Sequence, residues 1–276
     1  MLDGDFVKSH GLGNDYIVVD AARFGVRLTP ERVRLLCHRH LGLGSDGILE
    51  ITAADDRFQV VIWNPDGSVA ERSGNGLRIA AKFLSEHGYT AESVFAIDTA
   101  AGPVRTQIYR ADGRVNAVRL EMGRAEIDRS VKTLPVQGNK LDVTVVSVGN
   151  PHCVIFGQPY TRDRLFAIGP LVESHARFPA RINVQLASPE SRQRVRALVW
   201  ERGAGHTLAS GTSACAVAAA CFDRGLVDGK VRVVMEGGEL DVEVDEDLSI
   251  IMTGPVEEVF EGMLSPDLRR RLTEVQ

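Results

Sequence analysis

Two stretches of the chain could do chemistry together. "SVAERSGNGLRI" (68–79) ends a polar loop in Ser73-Gly74-Asn75-Gly76 and runs into an apolar segment. "HTLASGTSACAV" (206–217) does the same with Ser210-Gly211-Thr212-Ser213. A helix starting at such a loop presents unpaired N–H groups and a partial positive charge, which suits a carboxylate or another anion. Gly74 and Gly211 let a ligand approach the backbone closely. A lone serine at this point reads as a helix N-cap. Two serines at duplicated positions can instead face each other across one cleft, with a proton-transfer group on each side of one carbon. Inversion of a stereocentre requires that arrangement. The helix ends would hold the carboxylate and stabilise the enolate-like charge left when an α-proton departs.

The duplication extends well beyond the serines. "VIWNPDGSVAERSGN" (61–75) aligns without a gap to "LVWERGAGHTLASGT" (198–212), so that Trp63 meets Trp200 and Gly74 meets Gly211, an offset of 137. "GNDYIVV" (13–19) lies opposite "GNPHCVI" (149–155), and "AGPVRTQI" (101–108) opposite "GGELDVEV" (237–244), both at an offset of 136. Each half also ends in a similar strand, "VRLEMG" (118–123) and "IIMTGP" (250–255), and four matches in order imply two homologous halves of about 130 residues. The boundaries read as 1–124 and 125–261, with 262–276 packing back onto the first half.

Segments such as "FQVVIW", "VRTQIY", "NAVRLEM", "VRVVME" and "LDVEV" alternate as antiparallel strands do. "LRIAAKFL" and "ACAVAAACF" are instead apolar nearly all round, as buried helices are. The expected fold class is α+β: two pseudo-symmetric domains, each a mainly antiparallel sheet curled around a buried central helix.

Composition narrows the function. The 276 residues are 44% hydrophobic and 25% charged with a net charge of −5, an ordinary soluble balance that offers nucleic acid no basic surface. Neither a membrane-spanning run nor the apolar core of a signal peptide is present, and the expected location is cytoplasmic. Cys37, Cys153, Cys215 and Cys221 have neither the number nor the spacing of a disulfide framework. "GLGSDG" (42–47) fits a dinucleotide-binding pattern, but that motif follows a strand and opens a helix. Here "TPERVRLLCHRH", a helix capped by Thr29 with Pro30 at its first position, comes before it and the strand "GILEIT" after. Cys37-His38-Arg39-His40 converge poorly on one ion from a helix, and neither metal nor cofactor is expected.

The sequence resembles the diaminopimelate epimerases, a family of cofactor-independent amino-acid racemases and epimerases. The resemblance rests on "KSHGLGNDY" (8–16), "GLGSDGIL" (42–49), "NPDGSVAERSGNG" (64–76), "GNPHCV" (149–154), "INV" (182–184), "WERGAGHTLASGTSACA" (200–216) and "MTGP" (252–255). It implies a small amino-acid substrate, two bases acting without pyridoxal phosphate, and a homodimer. It places Asn14, Asn64, Asn150, Asn183, Glu201 and Arg202 at substrate-contacting positions, and Gly74, Asn75, Gly211 and Thr212 in the carboxylate cradle.

The departures fall on the catalytic points. The family's two bases are cysteines, whereas Ser73 and Ser210 stand here, and Cys215 and Cys221 fall inside the predicted helix. A thiol titrates near 8.5, whereas a hydroxyl needs an adjacent base. His206, where the family usually has glutamate, reads as a loop residue at the cleft edge or as a base serving Ser210, with His152 a second candidate. The alternatives are a divergent racemase of another amino acid and a non-catalytic amino-acid-binding relative.

Overall fold

The computed structural model describes residues 5–54 and 57–275. It divides into two compact units, one of residues 1–120 with 255–276, the other of residues 121–254. The second unit ends at 254 where the repeat suggested 261, because the strand that follows returns to pair with the first strand of the chain, and it begins at 121 where the repeat suggested 125.

In the first unit the chain runs β1 (Asp5–Gly11), β2 (Asn14–Asp20), α1 (Pro30–Cys37), β3 (Ile48–Ala54), β4 (Arg57–Trp63), β5 (Val69–Ala70), α2 (Gly74–Glu86), β6 (Val94–Thr99), β7 (Gly102–Ala111) and β8 (Arg114–Arg124), whose last four residues already belong to the second unit. In the second it runs β9 (Glu126–Asp128), β10 (Thr133–Val136), β11 (Asn139–Ser147), β12 (Pro151–Phe156), α3 (Arg162–Glu173), β13 (Asn183–Ser191), β14 (Arg194–Glu201), β15 (Gly205–Thr207), α4 (Gly211–Asp223), β16 (Lys230–Met235), β17 (Gly238–Val244) and β18 (Ser249–Pro255). β19 (Glu257–Met263) and α5 (Pro266–Glu274) then rejoin the first unit.

The repeat is visible in the pairing. β1–β2, β3–β4, β4–β5 and β6–β7 are antiparallel while β2–β3 and β4–β6 are parallel. β11–β12, β13–β14, β14–β15 and β16–β17 are likewise antiparallel, and β12–β13 and β14–β16 parallel. Each parallel crossover carries a helix. α1 is capped by Thr29 and α3 by Thr161, each threonine Oγ1 accepting an N–H three residues on. α1 ends at Cys37, short of the full "CHRH" run. His38 leaves the helix, and its Nδ1 accepts the amides of His40 and Leu41 in a turn.

The two central helices are buried from the first residue. Gly74–Leu84 of α2 and Gly211–Cys221 of α4 are all buried. α4 reaches this with small apolar side chains, which favour helix and let strands pack close. α2 is less uniformly apolar, since it buries Arg78 and Lys82. Both cations are satisfied, as burial of charge demands. Arg78 donates to Gly74 O, Asn75 Oδ1 and Pro255 O, and Lys82 to Glu86 Oε1 and Val115 O. α1 and α5 pack on the other side of the first sheet, around Phe6, Ile17, Leu36 and Leu272. α3 covers its counterpart through Leu165 and Val172. Among the described residues no helix is long and apolar enough to cross a membrane.

Candidate active site

Ser73 and Ser210 are the N-cap residues of α2 and α4, with nearly identical extended backbones, φ/ψ −138/118° and −143/125°. Their side chains differ. Ser73 Oγ accepts the Gly76 amide at 3.0 Å and lies 3.2 Å from the Tyr16 hydroxyl. Ser210 is buried and makes no side-chain cap hydrogen bond. In α2 the cap already satisfies one amide of the expected carboxylate cradle. In α4 the amides of Gly211, Thr212 and Ser213 have no protein acceptor among the described residues, and the first intrahelical bond there runs from Ala214 N to Ser210 O. The more open anion-binding terminus is therefore that of α4.

Around α2 the sequence-predicted residues form one network. Buried Asn75 donates through Nδ2 to Asn14 Oδ1 at 3.0 Å, and Asn14 Nδ2 donates to Asp46 Oδ2 at 3.1 Å. Asp46 lies in "GLGSDG", so the loop that imitates a nucleotide motif instead orients Asn14. Arg39 bridges Asp15 and Asp46 at 2.9 and 2.7 Å. Burial works against the Asp15 carboxylate, but hydrogen bonds from Arg39 and Lys8 outweigh it and hold the group down to about 2. Asp46 is pushed up by burial and by the neighbouring charge of Asp15. Asn64 stands apart from this network in the β4–β5 turn, bonded to Ser68 Oγ at 2.9 Å.

A second network lies beside α4. The imidazole of His152, with no exposed surface, sits 3.0 Å from Gln185 Nε2 through Nδ1 and 2.9 Å from Asn150 Oδ1 through Nε2. Gln185 Nε2 also donates to Ser213 Oγ at 2.9 Å, while its Oε1 is buried without a partner. Turning that amide over would strand two donors in place of one acceptor, the worse outcome. Gln185 therefore donates to Nδ1, and His152 carries its proton on Nε2 and donates to Asn150 Oδ1. This leaves Asn150 Nδ2 directed at Thr212 Oγ1, 3.4 Å away in the first turn of α4. Desolvation pushes His152 down to about 3. It is a neutral hydrogen-bonding link, and the expectation that it serves Ser210 as a base is corrected by this geometry.

His206 is likewise committed elsewhere. Its Nε2 lies 2.6 Å from Glu236 Oε2, its ring packs on Phe166 at 5.3 Å, and no hydrogen bond joins it to Ser210. Burial tends to raise the Glu236 carboxyl, but hydrogen bonds from His206 and Arg162 prevail and lower it. Asn183 and Arg202 form a backbone clasp, Asn183 Oδ1 accepting Arg202 N at 2.9 Å and its Nδ2 donating to Pro151 O at 2.9 Å. Glu201 Oε1 accepts from Thr207 Oγ1 at 2.9 Å. No thiol can replace the hydroxyls. All four cysteines are buried, and desolvation raises Cys37 to about 11 and Cys153 and Cys221 to about 12. Sequence reasoning gave no role to Tyr16, Asp46 or Gln185. The first two stand in quoted motifs, and Gln185 directly follows "INV", but nothing local marks any of them as a hydrogen-bond partner.

A family model described as diaminopimelate epimerase matches residues 6–127 and 144–259. The diaminopimelate epimerase of Leptospira biflexa is 37% identical over 273 residues, covering 94% of this chain and 98% of that protein. The one of Desulforudis audaxviator is 41% identical over 277 residues, covering 94% and 98%. A solved hydroxyproline epimerase from Agrobacterium vitis shares the fold with a TM-score of 0.72 at 15% identity, covering 94% of this chain and 90% of that one.

Proposed function

The chain belongs to the diaminopimelate epimerase family, and on that premise we propose that Ser73 and Ser210 supply the two proton-transfer positions of an amino-acid isomerase. The protein is a diaminopimelate epimerase-like isomerase, and its proposed place is in the biosynthesis of lysine and peptidoglycan precursors. In the proposed reaction the first turn of α4 holds the substrate α-carboxylate with its open amides and with Thr212. Asn150, oriented through His152 and Gln185, donates beside it. One serine position receives the α-proton, and the other returns a proton from the opposite face, so that charge and proton count balance at the carbon. The helix termini stabilise the enolate-like charge between these steps.

One observation carries this reading. Among the described residues, the two helices buried without a break from their first residue, through Leu84 in α2 and Cys221 in α4, both begin at serine N-caps of nearly the same backbone geometry. Their chemistry is unequal. Ser73 has the Tyr16 phenol as a hydrogen-bond partner, while Ser210 has no basic neighbour bonded to it. That second fact favours a second reading, an amino-acid binder that does not turn over. Incubation with LL- and meso-diaminopimelate in D2O, followed by NMR, separates the two. Exchange of the α-proton supports the isomerase, and saturable binding without exchange supports the binder. Failure of either isomer to bind overturns the substrate assignment.

A further inference from the structure

At the far end of α2 from Ser73 is a cluster that epimerisation does not use. The donor atoms of His87, Glu258 and Glu261 all lie within 4.8 Å of one another. His87 closes α2 as its C-cap, while both glutamates belong to β19, and His87 Nε2 is 3.1 Å from Glu258 Oε1 across 171 positions of sequence.

The fold explains why they converge. Residues three apart on a strand normally point to opposite faces. In β19 the register slips, Lys8 pairing with Phe260 but Ser9 with Glu258, so Val259 is an extra, bulged residue. Glu258 and Glu261 thereby pair with Ser9 and Val7, two residues apart on β1 and both buried. The bulge puts the two carboxylates on one face. Ser9 Oγ, directly opposite Glu258, is buried with no hydrogen-bond partner. The His87 ring is held by stacking on Phe83, with centroids 4.6 Å apart and planes 28° apart.

The electrostatics favour a cation. Among the described residues no lysine or arginine pairs with Glu258 or Glu261, and the neighbouring Glu86 is taken by Lys82 and by Val115 N. The C-terminus of α2 adds its own partial negative charge. One imidazole nitrogen and two carboxylates form the donor set of zinc and its first-row neighbours, whereas magnesium and calcium take oxygen alone. Bonds of about 2.0–2.1 Å to zinc separate tetrahedral donors by roughly 3.3 Å, so small side-chain adjustments close the cluster.

We propose that His87, Glu258 and Glu261 form a structural site for a divalent first-row transition ion, tying the end of α2 to the returning strand β19. Water completes the coordination on the exposed side of Glu261. This inference is independent of the epimerase reading. The sequence offers no sign of it, because the ligands share no motif.

Co2+ is the probe, titrated into the full chain and followed by its visible absorption, with Zn2+ as competitor. One equivalent of Co2+ is expected, displaced by Zn2+, and Zn2+ should raise the unfolding temperature. His87→Asn and Glu261→Gln should each weaken Co2+ binding by about tenfold or more. Glu261 is exposed, so its variant tests the site without disturbing the core. His38→Ala with His40→Ala, which removes the other histidine pair, should bind as the wild type does. Three results would overturn the site: no saturable equivalent, binding unchanged in both ligand variants, or binding lost in the His38/His40 variant. Absence of a Co2+ signal would assign the cluster to a His87–Glu258 ion pair alone.

Discussion

Acidification should expose the buried histidine. His152 has no exposed surface, and desolvation holds it near 3 against an ordinary value of 6.5. Between these values the unfolded chain carries a proton on this residue and the folded chain does not. Stability is therefore undiminished above pH 6.5 and falls as the pH is lowered toward 3. At pH 5 the unfolded imidazole lies 1.5 pH units below its own pKa, which at about 1.4 kcal/mol per unit is a loss of about 2 kcal/mol. The figure hardly depends on the folded value, provided that this stays well below 5. The assay is urea unfolding of the wild type and His152→Gln at pH 7 and pH 5. Glutamine keeps a donor for Asn150 but cannot titrate. The wild type should lose about 2 kcal/mol more than the variant over that interval, with the remaining titrations cancelling in the comparison. In parallel, the His152 ring nitrogens should show Nε2 protonated and Nδ1 bare by NMR from pH 8 to pH 5. An equal loss in both proteins, or a His152 signal titrating near 6.5, would refute the assignment of a locked neutral imidazole.

Ser73→Cys with Ser210→Cys should raise α-proton exchange of diaminopimelate by roughly 100-fold or more, because a thiolate is reachable near neutral pH and an alkoxide is not. Each single change should give far less, and an unchanged rate in the double variant would show that the surrounding pocket has diverged as well. Gln185→Leu leaves His152 Nδ1 and Ser213 Oγ without their donor, and should lower stability by about 1–3 kcal/mol in denaturant unfolding. It should also raise KM more than it lowers kcat, since Asn150 loses its fixed orientation. A Cβ at Gly47 would lie 2.4 Å from Trp63 O and 2.7 Å from Tyr16 Cε1. Gly47→Ala should therefore cost about 1–3 kcal/mol and displace the phenol that reaches Ser73, seen as loss of activity on the Ser73 side together with a lower unfolding temperature.

Much of the fold was legible because its determinants are local. A small polar residue before an apolar run caps a helix, and alternation at a period of two makes a strand, wherever the rest of the chain lies. The repeat then fixed the equivalence of α2 with α4, and the motifs fixed the family. The one local misreading, α1 extended through His40, arose because His38 bonds back to the turn rather than continuing the helix. The state of the site was not legible, because it depends on partners distant in sequence. Ser73 meets a tyrosine 57 residues away, His206 a glutamate 30 away, and His152 a glutamine 33 away. Reading the sequence could place both histidines near Ser210, but not say that one is neutral and the other paired. The residues by themselves determined where the two central helices begin, the duplicated sheets and the chemistry of the loops. Only tertiary packing decided which amides stay open, which imidazole loses its proton and which carboxylates gather at His87. Desolvation and hydrogen bonding are set by whatever is packed alongside, and sequence neighbours do not specify that.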